Sequence, residues 1–150
     1  MDLIGPLPKG RRGTSFAIVA NDYFTKWVEV EPLTKITKAN TSKFLWKNII
    51  CQLGIPHSII SNNDKQFDNK KVKSLCEELS IKKHFSTPFH LQANGEVEAM
   101  NKTIKHVLKR KLDVLKGAWV GELPQVLWAI RTTTRTPTGE IPFSWHSELR

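Results

Sequence analysis

The chain has 150 residues, a hydrophobic fraction of 39% and a formal net charge of +9 at neutral pH. This length and this share of large apolar side chains predict one folded domain over residues 1–150, and they exclude a disordered chain. No apolar run reaches the length of a membrane span, and the basic excess favours a polyanionic partner such as nucleic acid.

The first part of the chain predicts three strands and a helix. Apolar or alternating stretches predict strands at 1–4, 16–20 and 27–33, and such consecutive strands favour an antiparallel meander. From Lys38 to Leu53 apolar residues recur at helical spacing, and Gly54 supplies the stop.

The rest of the chain alternates between strand and helix patterns. Strands are predicted at 58–61 and 81–85, helices at 69–79 and 123–132, and a longer helix opens after Gly95. Alternation after a meander predicts an α/β fold with a five-stranded mixed sheet flanked by helices. Trp119 and Trp128 are predicted to be core aromatics.

The longer helix has two chemically distinct faces. At roughly 100° per residue, its apolar residues gather on one side, namely Val97, Met100, Ile104, Val107, Leu108 and Leu115. Glu98, Lys102, Lys105 and Lys109 gather on another side. One carboxylate among lysines is also typical of a solvated helix face on which Glu98 pairs with Lys102.

Four segments together carry a family resemblance: residues 1–8 with Asp2, 22–27, 60–67 and 92–101. On these segments the sequence resembles the catalytic core of retroviral and gypsy-class retrotransposon integrases. The resemblance runs from residue 1 to about residue 143 and implies an RNase H-like fold, with the core slightly truncated at both ends.

The resemblance also implies a metal site for cutting and joining DNA. Such cores hold divalent cations on an Asp, Asp, Glu triad, often with 35 residues between the second and third acids. Asp2 matches the first acid and Glu98 the third, whereas Asn62 stands at the second position, 35 residues before Glu98. Because Mg²⁺ and Mn²⁺ prefer charged oxygen ligands, a site of Asp2, Asn62 and Glu98 predicts weak cation binding and impaired catalysis.

DNA is the partner that the resemblance implies, and a homo-oligomer is compatible with it. The run from Glu98 to Lys105 is similar to the helix of lentiviral integrases in which two lysines contact the DNA end. This similarity implies that Asn101, Lys102 and Lys105 bind DNA, with Lys109 extending the basic stripe.

Two rival hypotheses stay open. In the first, the chain is an active nuclease in which Asp64 replaces the missing acid, although a turn aspartate explains that residue as well. In the second, the chain is a domesticated DNA-binding or scaffolding module without catalysis. The residues alone do not separate this module from an impaired integrase core, because both hypotheses predict the same sequence.

The cysteines and histidines indicate neither a disulfide framework nor a zinc site. Cys51 and Cys76 lie in apolar helical surroundings and are predicted to be buried free thiols in a reducing compartment. With no targeting signal in the sequence, we expect the nucleus or the cytoplasm.

Overall fold

Three strands form an antiparallel sheet at the start of the chain. The computed structural model describes residues 1–22, 25, 27–61, 64–85 and 92–132, and within 92–101 it describes the backbone alone. The sheet contains β1 (Asp2–Ile4), β2 (Phe16–Asn21) and β3 (Val28–Leu33) in that order. Asp2 pairs with Val19, which in turn pairs with Val30. The antiparallel arrangement of these strands agrees with the sequence prediction.

A second, parallel sheet contains β4 (Ser58–Ser61) and β5 (Lys82–Phe85). The prediction of a single five-stranded mixed sheet is therefore wrong, because in the part of the chain that the structure describes the five strands form two sheets. The sheets meet where the Met1 nitrogen donates to the Ile60 carbonyl oxygen at 2.7 Å. Among the described residues β1 pairs with β2 and β4 pairs with β5, so this contact does not extend into a ladder between the two sheets.

The first helical region matches the predicted span from Lys38 to Leu53. Its first part is α1 (Lys38–Phe44), whose amino end is capped by the Thr37 side chain, which accepts a hydrogen bond from the Asn40 amide at 3.1 Å. It continues as a π-helix (Leu45–Ile50) and a last turn, α2 (Cys51–Leu53). Gly54 then ends the region at φ +96°, in the backbone region that favours glycine.

Helices α3, α4 and α5 follow among the described residues. The Asn69 side chain caps α3 (Lys70–Glu78) by accepting from the Val72 amide at 3.2 Å. The longest helix, α4 (Gln92–Val114), precedes α5 (Trp119–Thr132), and short 3-10 helices occupy Arg11–Gly13 and Lys116–Ala118. Helix α5 begins four residues before the predicted Leu123, at the fully buried Trp119, whose Nε1 donates to the Pro8 carbonyl oxygen at 2.8 Å.

The two faces of the antiparallel sheet bury different clusters. On one face, Ala17 and Val19 of β2 pack with residues of α4 and α5, namely Ile104, Leu108, Leu112, Trp119, Leu123, Leu127 and Ile130. On the other face, Ile18 and Ala20 pack with Phe44 and Phe67. Alternation along β2 thus fixes α4 against the face that also carries Asp2, because Asp2 is the register partner of Val19.

Two predicted core residues lie at the surface instead. The side chain of Trp128 is 58% exposed, because it follows the inward-facing Leu127 by one residue and so points away from the sheet. Cys51, in the last turn of the helical region, is also exposed. Trp119 and Cys76 are buried, as predicted.

Candidate active site and basic helix face

Asp2 lies on the sheet face that α4 covers. Its Oδ1 accepts a hydrogen bond from the Leu3 amide at 2.8 Å. The same oxygen lies 3.5 Å from the Nζ of Lys105, a residue of α4 that is 103 positions away in the sequence. The fold therefore brings together the first predicted metal ligand and one of the predicted DNA-binding lysines.

The basic face of α4, defined here as Lys102, Lys105 and Lys109, lies beside the buried stripe of the same helix. Ile104, Leu108 and Leu112 are buried against the sheet, whereas Lys102 is exposed. The Lys109 Nζ lies 2.9 Å from the Asp113 carboxylate one turn later. Burial of the apolar stripe leaves these three ammonium groups partly or fully open to solvent.

Two further predicted site residues belong to α4. Glu98 and Asn101 belong to α4 as backbone positions, and their side chains lie outside the described residues. Position 98 precedes Lys105 by seven residues, which is almost two complete helical turns. The backbone of α4 therefore places position 98 on the same side of the helix as Lys105.

The second triad position, Asn62, lies outside the described residues. Ser61, directly before it, is the last residue of β4 and is buried. The carbonyl oxygen of the preceding residue, Ile60, accepts a hydrogen bond from the nitrogen of Met1. Met1 directly precedes Asp2 in the sequence. The carboxyl end of β4 is thus close in space to the start of β1.

Asp64 occupies a turn just after β4. Its carbonyl oxygen accepts hydrogen bonds from the amides of Phe67 and Asp68 at 2.9 and 2.8 Å. Its Oδ2 accepts from the Gln66 side-chain amide at 3.3 Å. These contacts are typical of an aspartate that stabilises a polar turn.

Sequence reasoning missed Lys83 of β5. Its Nζ donates to the Ser61 Oγ and, at 3.2 Å, to the His84 carbonyl oxygen, and it lies 4.1 Å from the centroid of the Phe85 ring. Burial lowers the pKa of Lys83 to about 8. Alternation in the sequence could have identified this position. Residues 81, 83 and 85 point to the same side of an extended chain, so Lys83 shares a side with the apolar Ile81 and Phe85.

The chemistry of the donor set fits a hard divalent cation. The described residues include no group of three or more His, Cys, Asp or Glu side chains that would hold a metal ion. The Asp2 side chain is nevertheless 24% exposed and already faces one cation, the Lys105 ammonium. Asp2, Asn62 and Glu98 would offer oxygen donors, the ligand type that Mg²⁺ and Mn²⁺ prefer, and of these three side chains only that of Asp2 is among the described residues.

The sequence is similar to segments of retroviral and transposon polyproteins. It is 34% identical over 121 residues to the Gag-Pol polyprotein of avian reticuloendotheliosis virus, covering 81% of this chain and 10% of the relative. It is 26% identical over 143 residues to the retrovirus-related Pol polyprotein from transposon 412 of Drosophila melanogaster, covering 95% of this chain and 12% of the relative. The chain thus spans about a tenth of the length of these relatives. No protein-family model matches it.

Solved retroviral structures share the fold. The crystal structure of the catalytic core domain of BIV integrase superposes with a TM-score of 0.68 at 19% identity, covering 99% of this chain and 93% of that one. The simian T-cell lymphotropic virus intasome in complex with PP2A regulatory subunit B56 gamma gives a TM-score of 0.70 at 21% identity, covering 95% of this chain and 56% of that one. The polyprotein sequences and the solved structures both confirm the predicted resemblance.

In the described part of the chain, no helix is long and apolar enough to cross a membrane.

Proposed function

We propose that this chain, a relative of retroviral and retrotransposon polyproteins with the fold of integrase catalytic cores, binds DNA through α4 but carries out little or no strand transfer. The observation that carries the proposal is the contact of Asp2 with Lys105, at 3.5 Å. It joins a carboxylate suited to a metal ion with an ammonium group suited to a phosphate. DNA that docks on α4 would therefore pass next to Asp2.

Charge and exposure support the DNA-binding part of the proposal. The chain carries a net charge of +9, and the basic face of α4 is open to solvent on a helix fixed by its buried stripe. Lysines bind phosphate as point charges and release condensed counterions, so binding of this kind shows little sequence preference and a steep salt dependence.

The neutral side chain of Asn62 at the second triad position supports the loss of strand transfer. Asp2, Asn62 and Glu98 would hold Mg²⁺ or Mn²⁺, which in such a site stabilises the attacking and leaving oxygens at phosphorus. Two of these residues carry a charge and Asn62 does not. With two negative charges in place of three, the site offsets less of the cation charge and binds it weakly.

The turn geometry of Asp64 argues against an active nuclease that uses this residue. Its carbonyl oxygen receives two backbone amides, and its carboxylate is bonded to Gln66. To ligate a cation through Oδ2, the carboxylate of Asp64 would have to exchange its Gln66 partner, while the two amides hold the backbone of residue 64 in the turn. The turn therefore favours the impaired core over a nuclease dependent on Asp64.

Exposed apolar side chains favour self-association as a second property. Val114 at the end of α4 is 77% exposed and Trp128 on α5 is 58% exposed. A protein–protein contact that covers both side chains would remove their apolar area from water. Sedimentation of the wild type and of Trp128→Glu tests this point, because a dimer using this surface should dissociate in the variant.

The central experiment combines binding with catalysis. Fluorescence anisotropy with labelled duplex DNA over a range of salt concentrations measures binding, and a strand-transfer assay with Mg²⁺ or Mn²⁺ measures chemistry. We expect salt-sensitive binding and at most a trace of product. Efficient strand transfer by the unmodified chain would contradict the impaired core, whereas an absence of DNA binding would contradict the whole proposal.

A further inference from the structure

We propose that Lys105 is a positioning residue with two alternating partners: Asp2 in the free protein, and a DNA phosphate when a divalent cation holds Asp2. This inference rests on the proposed function, because it requires a cation at Asp2 and DNA on α4. It adds a coupling between the two ligands, in which each makes the other bind more tightly.

The geometry of the Asp2–Lys105 contact suits an exchange of partners. The Nζ to Oδ1 distance is 3.5 Å, longer than the roughly 2.7–2.9 Å of a tight charge-assisted hydrogen bond. The side chains of Lys105 and Asp2 are 37% and 24% exposed, so ions and phosphate can reach both. A partly exposed, loosely bonded pair separates at little cost.

Coupling follows because both ligands break the same contact. A divalent cation at Asp2 displaces the ammonium of Lys105 by competition and by repulsion between like charges. A phosphate on Lys105 likewise releases Asp2. Whichever ligand binds first separates the pair, and the second binds without that cost, so the coupling is positive and reciprocal.

The strength of the pair sets the size of the effect. An exposed ion pair contributes up to about 1 kcal/mol. Loss of this contact therefore changes the affinity for the cation or for DNA on the order of two- to fivefold. The long, flexible stem of lysine allows Nζ to move from Asp2 towards the exposed Lys102 without a change in α4. A coupling of this size is measurable by titration.

Titration with Mn²⁺ alone tests the first half of the inference. Calorimetry should show that Lys105→Gln binds Mn²⁺ two- to fivefold more tightly than the wild type, because the competing ammonium is gone. Lys109→Gln is the matched control, since Lys109 lies on the same face of α4 and is paired with Asp113 rather than Asp2. Equal shifts in the two variants, or no Mn²⁺ binding in any protein, would overturn the inference.

Titration with DNA tests the second half. At constant ionic strength, Mn²⁺ should tighten binding of a short labelled duplex to the wild type and to Lys109→Gln, relative to Lys105→Gln. If the effect of Mn²⁺ is the same in all three proteins, the inference is wrong while the DNA-binding proposal stands. If the wild type binds no DNA at all, the proposed function fails, and the Mn²⁺ titration still decides whether Lys105 competes for Asp2.

Discussion

The Nζ of Lys83 donates a hydrogen bond to the Oγ of Ser61, the buried last residue of β4 and the one directly before Asn62. Lys83 is the register partner of Ile59, and Ser61 that of Phe85, so donor and acceptor are diagonal neighbours in the parallel sheet. This bond ties β5 to the end of β4 next to the second triad position.

The partly buried amine of Lys83 predicts a pH-dependent stability. Its pKa is lowered by burial from 10.5 to about 8. Between these values the unfolded lysine holds a proton that the folded one has released, so the free energy of unfolding rises as the pH increases from about 8 to 10.5. Urea denaturation at pH 7.5 and pH 10 should show a smaller rise for Lys83→Met than for the wild type. Lys82→Met, at the exposed neighbouring position, should retain the wild-type rise.

Removal of two lysines from the basic face of α4 should weaken DNA binding and its salt dependence. Lys102→Gln with Lys105→Gln deletes two phosphate contacts, which should lower the slope of log affinity against log salt by up to about 1.8. Anisotropy titrations at several salt concentrations measure the slope. The double variant Lys70→Gln and Lys71→Gln, with the same charge change on the exposed start of α3, is the control. Equal losses in slope would assign the effect to net charge rather than to α4.

Restoration of the second acid should strengthen metal binding. Asn62→Asp adds a unit charge close to the cation, which should tighten Mn²⁺ binding on the order of tenfold or more. Calorimetry measures this change, and a strand-transfer assay shows whether turnover returns. Asp64→Asn should leave Mn²⁺ binding unchanged, because Asp64 is engaged in its turn. Activity in the unmodified chain that Asp64→Asn abolishes would identify Asp64 as the second acid instead.

A pair of alanine substitutions tests how α4 is held on the sheet. Leu108 is fully buried in the cluster shared with β2 and α5, whereas Val114 of the same helix is 77% exposed. Leu108→Ala should lower the free energy of unfolding by about 2–5 kcal/mol. Val114→Ala should change it by less than about 0.5 kcal/mol. Urea denaturation measures both, and similar values for the two would contradict the observed packing of α4.

The two thiols should differ in reactivity. Cys51 is exposed, whereas Cys76 is buried and its pKa is raised, chiefly by burial. The thiolate is the reactive form, so both access and protonation protect Cys76. A thiol reagent at pH 8 should modify one cysteine rapidly in the native protein and both in urea. Rapid modification of Cys51→Ser under native conditions would show that Cys76 is accessible.

Local patterns were enough to identify most of the elements. The period of the apolar residues located the first helical region and, with Ile104 and Leu108, part of the buried stripe of α4, and apolar or alternating stretches located the first three strands. The family resemblance came from short motifs around Asp2, Asn62 and Glu98. It was confirmed because these motifs lie in a sequence that matches retroviral and transposon polyproteins along most of its length.

Other features depended on contacts between residues far apart in the sequence. Alternation within a strand does not state which strand lies beside it, so the division into two sheets could not be read from the sequence. The same reason applies to Lys105 and Asp2, which are 103 residues apart in the chain and 3.5 Å apart in space. The sequence by itself determined which residues are apolar, basic or acidic and in what period they recur. Only the tertiary structure decided which charges meet, because that depends on how α4 packs across β1 and β2.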